Sequence, residues 1–137
     1  EKADEDEQAC LADGDLTAVS AGLLEPCKMA LVVRTDLKLT PGSIYSHQAT
    51  LACYKALYKK NRSLVQHWER TGYQAKIALK AKSEDQLFQL EALAKSLNLC
   101  ARSVLDLEKG ENIRSVLAIG PAPVKLVDEV TGKLRLL

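Results

Sequence analysis

Five apolar residues in succession, Met29 through Val33, stand between Lys28 and Arg34 and constrain the fold of this chain more than any other feature. A strand with one wet face alternates apolar and polar residues, whereas an unbroken run needs cover on both faces. The run predicts an inner strand of a sheet with helices packed on it. At 137 residues there is room for one such domain.

The remaining sequence supplies the covering elements. Thr40, Pro41 and Gly42 are turn residues, and a helical pattern follows from Ile44 to Lys60. Ile44, Leu51, Tyr54 and Tyr58 can share one stripe of that helix, while Ala49, Ala52, Cys53 and Ala56 give it a small-residue side for close packing. A shorter helix is expected over about Ser63 to Arg70, ended by Gly72. Ala75 to Ala81 alternates as a strand does. Ser83 with Gln86 forms a capping-box signature, opening a helix that carries Leu87, Leu90, Ala94 and Leu97 and stops at a left-handed Asn98. Strands are then expected over Leu99 to Leu105 and Ser115 to Ile119, joined by a charged loop from Asp106 to Asn112. Gly120 to Pro123 is expected to start a last helix, through about Val130, with Gly132 as its stop. This order predicts an α/β single domain with a mixed four-stranded sheet and helices packed on both faces.

Charge divides the chain in two. Residues 1–25 hold eight acids against one base, a net −7, and residues 26–137 carry +8. The first segment lacks apolar periodicity and is expected to be an acidic disordered tail, with the domain spanning residues 26–137. A basic body suits a polyanionic partner, because each neutralised phosphate releases counterions. A lysine-rich soluble surface gives the same charge, and charge alone does not separate the two readings. Cys10, Cys27, Cys53 and Cys100 form no C-x-x-C pair, which suggests reduced thiols in an intracellular protein. No apolar run approaches the ~20 residues that cross a bilayer. The first residue is Glu1, which leaves room for an upstream targeting segment.

Several chemistries lack their signatures. There is no G-x-S-x-G, no P-loop, and no metal-ligand cluster around His47 and His67. Aromatics make up only 4% of the chain and form no RNP-type motif, so RNA contacts are expected to be mainly to phosphates.

Four stretches, in their order and spacing, resemble the archaeal–eukaryotic type of peptidyl-tRNA hydrolases. They are KMALVVRTDLK over residues 28–38, Ser46-His47 before an alanine-rich helix ending in Tyr54-Lys55, Trp68-Glu69 with Gly72, and LAIGP at 117–121 with VDEVTG at 127–132. The resemblance covers residues 28–137. It implies hydrolysis of the ester joining peptide to tRNA by an activated water, without metal or cofactor. Peptidyl-tRNA is the implied partner, a homodimer stays open, and the expected location is cytoplasmic or mitochondrial.

Two departures from the family fall where it does its chemistry. Its Gly-Lys pair after the first turn is missing, since Gly42 is followed by Ser43 and His47 comes soon after. The connection from Asp106 to Ile113 is shorter than the family's and resembles a divergent subgroup. Reduced activity is therefore expected. The alternative is a weak or inactive relative that serves as an RNA- or protein-binding module.

His47 matches the family's helix histidine, and an imidazole can orient a carboxylate or a substrate hydroxyl near neutral pH. A histidine packed between helix and sheet would share its spacing. Asp106, after the third strand, matches the family's loop aspartate and can position water, although Asp also makes turns well. Lys38 is a candidate substitute for the missing lysine. Ser115 corresponds to a family threonine that could hydrogen-bond substrate, or it simply fills a strand position. Lys76, Lys80 and Lys82 would share one face of the second strand as a phosphate track, or stand as a solvated surface.

Overall fold

In the computed structural model, which describes residues 11–37, 44–106 and 113–137, the run from Met29 to Val33 lies within β1 (Cys27–Arg34). Then follow α1 (Ile44–Lys60), α2 (Arg62–Thr71), β2 (Lys76–Ala81), α3 (Glu84–Ser96), β3 (Ala101–Asp106), β4 (Ile113–Pro123) and α4 (Val124–Thr131). The sheet runs in the order β2-β1-β4-β3. β1 pairs parallel with β2 and antiparallel with β4, and β3 is antiparallel to β4, so the sheet is mixed.

The apolar run is unbroken because both of its faces are covered. Met29 and Val33 pack with Val116 and Ala118 against Ala49, Cys53 and Leu57 of α1 and Leu64, Val65 and Trp68 of α2. On the other face Ala30 and Val32 join Leu117 and Ile119 beneath Leu87 and Ala94 of α3 and Val127 and Val130 of α4. This is one α/β domain with helices on both sides of its sheet. The outer edge of β2 is covered by the chain's last residues: Lys80 N–H donates to the Arg135 carbonyl and Leu137 N–H to that of Ala78. Such cover removes an exposed strand edge. Among the described residues, no helix is long and apolar enough to cross a membrane.

Local signals act largely as their chemistry requires. Ser83 caps α3, its hydroxyl accepting from Gln86 N–H, while the Gln86 side chain reaches back to Lys82 N–H. Asn98 takes φ 65° after α3, as a left-handed stop should. Cys27, Cys53 and Cys100 are buried free thiols, and burial pushes that of Cys27 up to about 11.

Two expectations need correction. Gly120 to Pro123 extends β4 and does not open the last helix, which begins at Val124. Gly120, at φ 105°, faces a register shift at Lys28/Ala30, and beyond it Ala122 and Pro123 still pair with Lys28 and Cys27. The second correction concerns the acidic segment. Residues 1–10 lie outside the described residues, but residues 11–25 form a strap held against the body. Leu16 is 6% exposed and belongs to the core. The Asn61 side-chain amide donates to the Leu16 and Val19 carbonyls while its oxygen caps α2 at Leu64 N–H. Asp13 takes both arms of Arg102, Asn98 accepts from Asp15 N–H, and Lys95 donates to the Leu11 carbonyl. One buried leucine, an ion pair and a set of side-chain-to-backbone bonds hold a segment that has no periodicity of its own.

Candidate active site

α1 decides what faces solvent beside the sheet. Its small residues Ala49 and Cys53, with Leu57 one turn on, make the buried face and let the helix approach the strands closely. His47 and Leu51 are turned outward, Leu51 by enough to leave it 52% exposed. They stand over an open cleft of about 730 Å³. Leu31 and Ala78, partners across β1 and β2, form its floor. Ser46, His47, Thr50, Leu51 and Tyr54 of α1 make one wall, Trp68, Glu69, Gln74 and Lys76 the other, and Leu137 closes the outer side.

The second wall is rigid. Trp68 is buried, with its indole N–H donating to the Ala75 carbonyl at 2.9 Å. The Lys76 ammonium lies 5.4 Å over the indole ring and donates to the Gln74 carbonyl at 3.2 Å. The Tyr54 hydroxyl donates to Glu69 at 3.2 Å. Burial and then the Glu69 charge push that phenol up, so it stays protonated and keeps donating. The cleft thus combines a largely apolar lining with an outward imidazole and one lysine, the makeup of a small-molecule or chain-end site.

Of the candidate site residues, His47 and Lys76 both line this cleft. His47 is exposed on its wall and not packed between helix and sheet. Asp106 ends β3, its backbone paired with Ile113, at the end of the sheet where β1 runs out and from which the chain reaches α1. Lys38 and the loop after Asp106 lie outside the described residues. Ser115 is fully buried, its hydroxyl donates to the Val104 carbonyl at 2.9 Å, and it does not line the cleft, which favours the strand-filling reading. Lys80 shares the face of Lys76 by register, opposite Val33, but does not line the cleft. Lys82 lies beyond the end of β2, next to the α3 cap, so the three lysines do not form one strand face.

Arg34 and Asp36 form a local pair: the guanidinium donates to both carboxylate oxygens, at 2.9 and 2.6 Å, and to the Arg114 carbonyl at 3.0 Å. This ties the end of β1 to the start of β4. Sequence reasoning placed Leu51 only in an apolar stripe of the helix and Glu69 only in a family motif, and it did not name Leu137 at all, although all three line the cleft. Leu51 could have been found as the large residue two positions from the Ala49–Cys53 side of the helix.

A second cavity, about 350 Å³, lies beside α3 and the strap and is lined by Leu11, Asp13, Glu91, Lys95, Arg102, Ser103 and Leu105. Its charges are consumed by one another. Glu91, 2% exposed, accepts from Ser103 at 2.5 Å, Arg114 at 3.2 Å and Lys95 at 2.8 Å. Burial pushes the Glu91 carboxyl up, but the hydrogen bonds from Lys95 and Ser103 and the nearby charges outweigh it and hold it below the usual carboxylate value. The Arg102 hydrogen bonds likewise lower Asp13. The cluster is a structural tie.

Fold and site together define an α/β domain with a histidine-bearing cleft beside the sheet's β2 edge. Comparison with known proteins gives the family. The model described as peptidyl-tRNA hydrolase PTH2 matches residues 27–137, and the chain belongs to that family. It is 47% identical over 114 residues to the probable peptidyl-tRNA hydrolase 2 of Schizosaccharomyces pombe, covering 80% of this chain and 55% of that protein. It is 42% identical over 116 residues to the mitochondrial peptidyl-tRNA hydrolase 2 of Mus musculus, covering 80% of this chain and 62% of the relative. An archaeal peptidyl-tRNA hydrolase, from Staphylothermus marinus, is 36% identical over 116 residues, with 80% and 94% covered. The chain therefore spans between half and two thirds of the length of the yeast and mouse relatives.

Proposed function

We propose that this chain is a peptidyl-tRNA hydrolase that cleaves the ester between peptide and tRNA in the cleft beside α1. The observation that carries this reading is that His47 and Lys76, both chosen from sequence, line one open cleft in a domain of this family. Water adds to the ester carbonyl, the bond to the ribose oxygen breaks, the peptide leaves as a carboxylic acid, and the proton passes to the ribose hydroxyl. His47 is the group suited to carry that proton or to orient the water, and Asp106 to position it. General acid–base help of this kind contributes about 10²–10⁴ in rate.

The basic residues act on the tRNA body. Lys76 lines the cleft, while Lys80 and Lys82 contribute charge outside it. The missing Gly-Lys pair at Gly42-Ser43 removes one cation from the turn, so turnover is expected below that of a family member with the full motif. The place of action is wherever stalled translation releases this ester, the cytoplasm or the mitochondrion. Release of peptide from peptidyl-tRNA by the full chain, lost in Asp106→Asn at matched folded fraction, is the expected result. Tight salt-sensitive tRNA binding with no release of peptide would contradict the hydrolase reading.

A further inference from the structure

Six aromatic residues occur in the chain, and five of them are accounted for by packing. Tyr45, Tyr54 and Tyr58 lie against the core, Trp68 belongs to it, and Phe88 sits under the Arg114 guanidinium at 4.9 Å. Tyr73 is the exception, with 90% of its surface exposed. A single exposed ring is ordinary on a protein surface, so the turn that carries it has to decide what the ring is for.

The backbone beneath Tyr73 is specified. Tyr73 and Gln74 take φ 50° and 61°, two consecutive non-glycine residues in the left-handed region. Chains avoid this arrangement unless the surroundings impose it, and such outliers gather at functional sites. Here Gly72 N–H and Gln74 N–H both donate to the Trp68 carbonyl, each at 3.2 Å, while the Trp68 indole holds Ala75. The turn is thereby fixed to the wall of the cleft, and its next residue, Gln74, lines that cleft. From Arg70 to Lys76 the sequence holds two cations and no acid.

An outward ring on a rigid, cationic turn is the arrangement that stacks on an unpaired base, with the charges serving the adjacent phosphates. Resting on the hydrolase reading above, we infer that Tyr73 stacks on an unpaired nucleobase in the single-stranded 3′ end of the tRNA. His47 and Tyr54 are about 10 Å apart along α1 at 1.5 Å per residue, and the turn lies toward the Tyr54 end, since it precedes Lys76, opposite Met29 near the start of β1, whereas α1 begins beyond the other end of that strand. The stacked base therefore belongs to a nucleotide behind the terminal one, whose ester is at His47.

Two measurements test this. The first is KM and kcat for peptidyl-tRNA with Tyr73→Ala, Tyr73→Gly and Tyr73→Phe. Loss of a base–aromatic stack should raise KM roughly five- to hundredfold in the Ala and Gly variants, with kcat nearly unchanged and the Phe variant close to wild type. The Gly variant relieves the left-handed backbone, so an equal effect in both separates loss of the ring from distortion of the turn. The second is fluorescence of 2-aminopurine placed in turn at each unpaired 3′ position of an uncharged tRNA. Wild type and Tyr73→Phe should quench one internal position, and Tyr73→Ala none. Unchanged KM and quenching in Tyr73→Ala would overturn the inference and leave the ring to a protein contact. Failure of Phe to rescue would also overturn it, assigning the effect to the hydroxyl. Quenching without any hydrolysis would refute the hydrolase reading and leave the stacking standing. Hydrolysis without quenching or a KM effect would do the reverse.

Discussion

On α3, Glu91 is enclosed by Ser103, Lys95 and Arg114, all of which donate to its carboxylate. Across the sheet, α1 turns His47 and Leu51 toward an open cleft whose opposite wall carries Lys76. Both regions set ionisable groups beside apolar surface. In the first, burial would make an unpaired charge prohibitive, so three donors converge on the two carboxylate oxygens and the cluster closes. In the second, exposure keeps the groups hydrated and free to meet a substrate. Position in the fold, more than residue type, separates a structural charge from one available for chemistry.

The comparison implies opposite responses to mutation. Glu91→Ala should give the largest loss of stability, about 3–5 kcal/mol, because it leaves Lys95 and Arg114 facing an emptied pocket. Urea denaturation reads this directly, and a loss under 1 kcal/mol would show the cluster to be replaceable. The same carboxylate sets an acid limit. Its folded pKa is lowered, as is that of Asp13, so the unfolded chain binds protons first. The stability they contribute is complete above the unfolded values, roughly 4.3 for Glu and 3.9 for Asp, and is lost as pH falls through the folded ones. Glu91→Gln should therefore show a smaller drop in midpoint between pH 7 and pH 3 than wild type.

The strap should respond next. Leu16→Ala removes a buried leucine, at an expected cost of about 2–4 kcal/mol, and protease should then enter residues 11–25 first. A change within about 0.5 kcal/mol would mean that the strap adds nothing to the core. The smallest effect belongs to the cleft's cation. Lys76→Ala should leave stability nearly unchanged yet reduce the slope of log affinity for tRNA against log salt by about 0.7–0.9. The same decrease from Lys80→Ala alone would show that the track is not centred on the cleft.

Much of this architecture was legible in the sequence, for reasons that differ by element. The strand from Met29 to Val33 was readable because covering both faces imposes an unbroken run. The α3 cap at Ser83 was readable because its bonding is complete within a few residues. The strap was not, since its ties join positions far apart in the chain, such as Asn61 to Leu16 and Arg102 to Asp13. The continuation of β4 past Gly120 was also hidden, because prolines and a glycine signal a break while the pairing partner lies on β1. The cleft was half legible. Resemblance pointed to His47, but the outward turn of Leu51 depends on which side of α1 meets the sheet. Ser115 shows the converse case, a plausible substrate contact whose hydroxyl is committed to Val104 within the sheet.

The central claim is that the cleft beside α1 is the site of ester cleavage, distinct from the buried charges that hold the fold. Single-turnover release of peptide from peptidyl-tRNA by His47→Ala, set beside its urea midpoint, tests this most directly. The expected result is a hundredfold or greater loss of rate, within the range of about 10²–10⁴ for a lost acid–base group, with the midpoint unchanged because His47 is exposed. Peptide release at the wild-type rate by a folded His47→Ala protein would contradict the account.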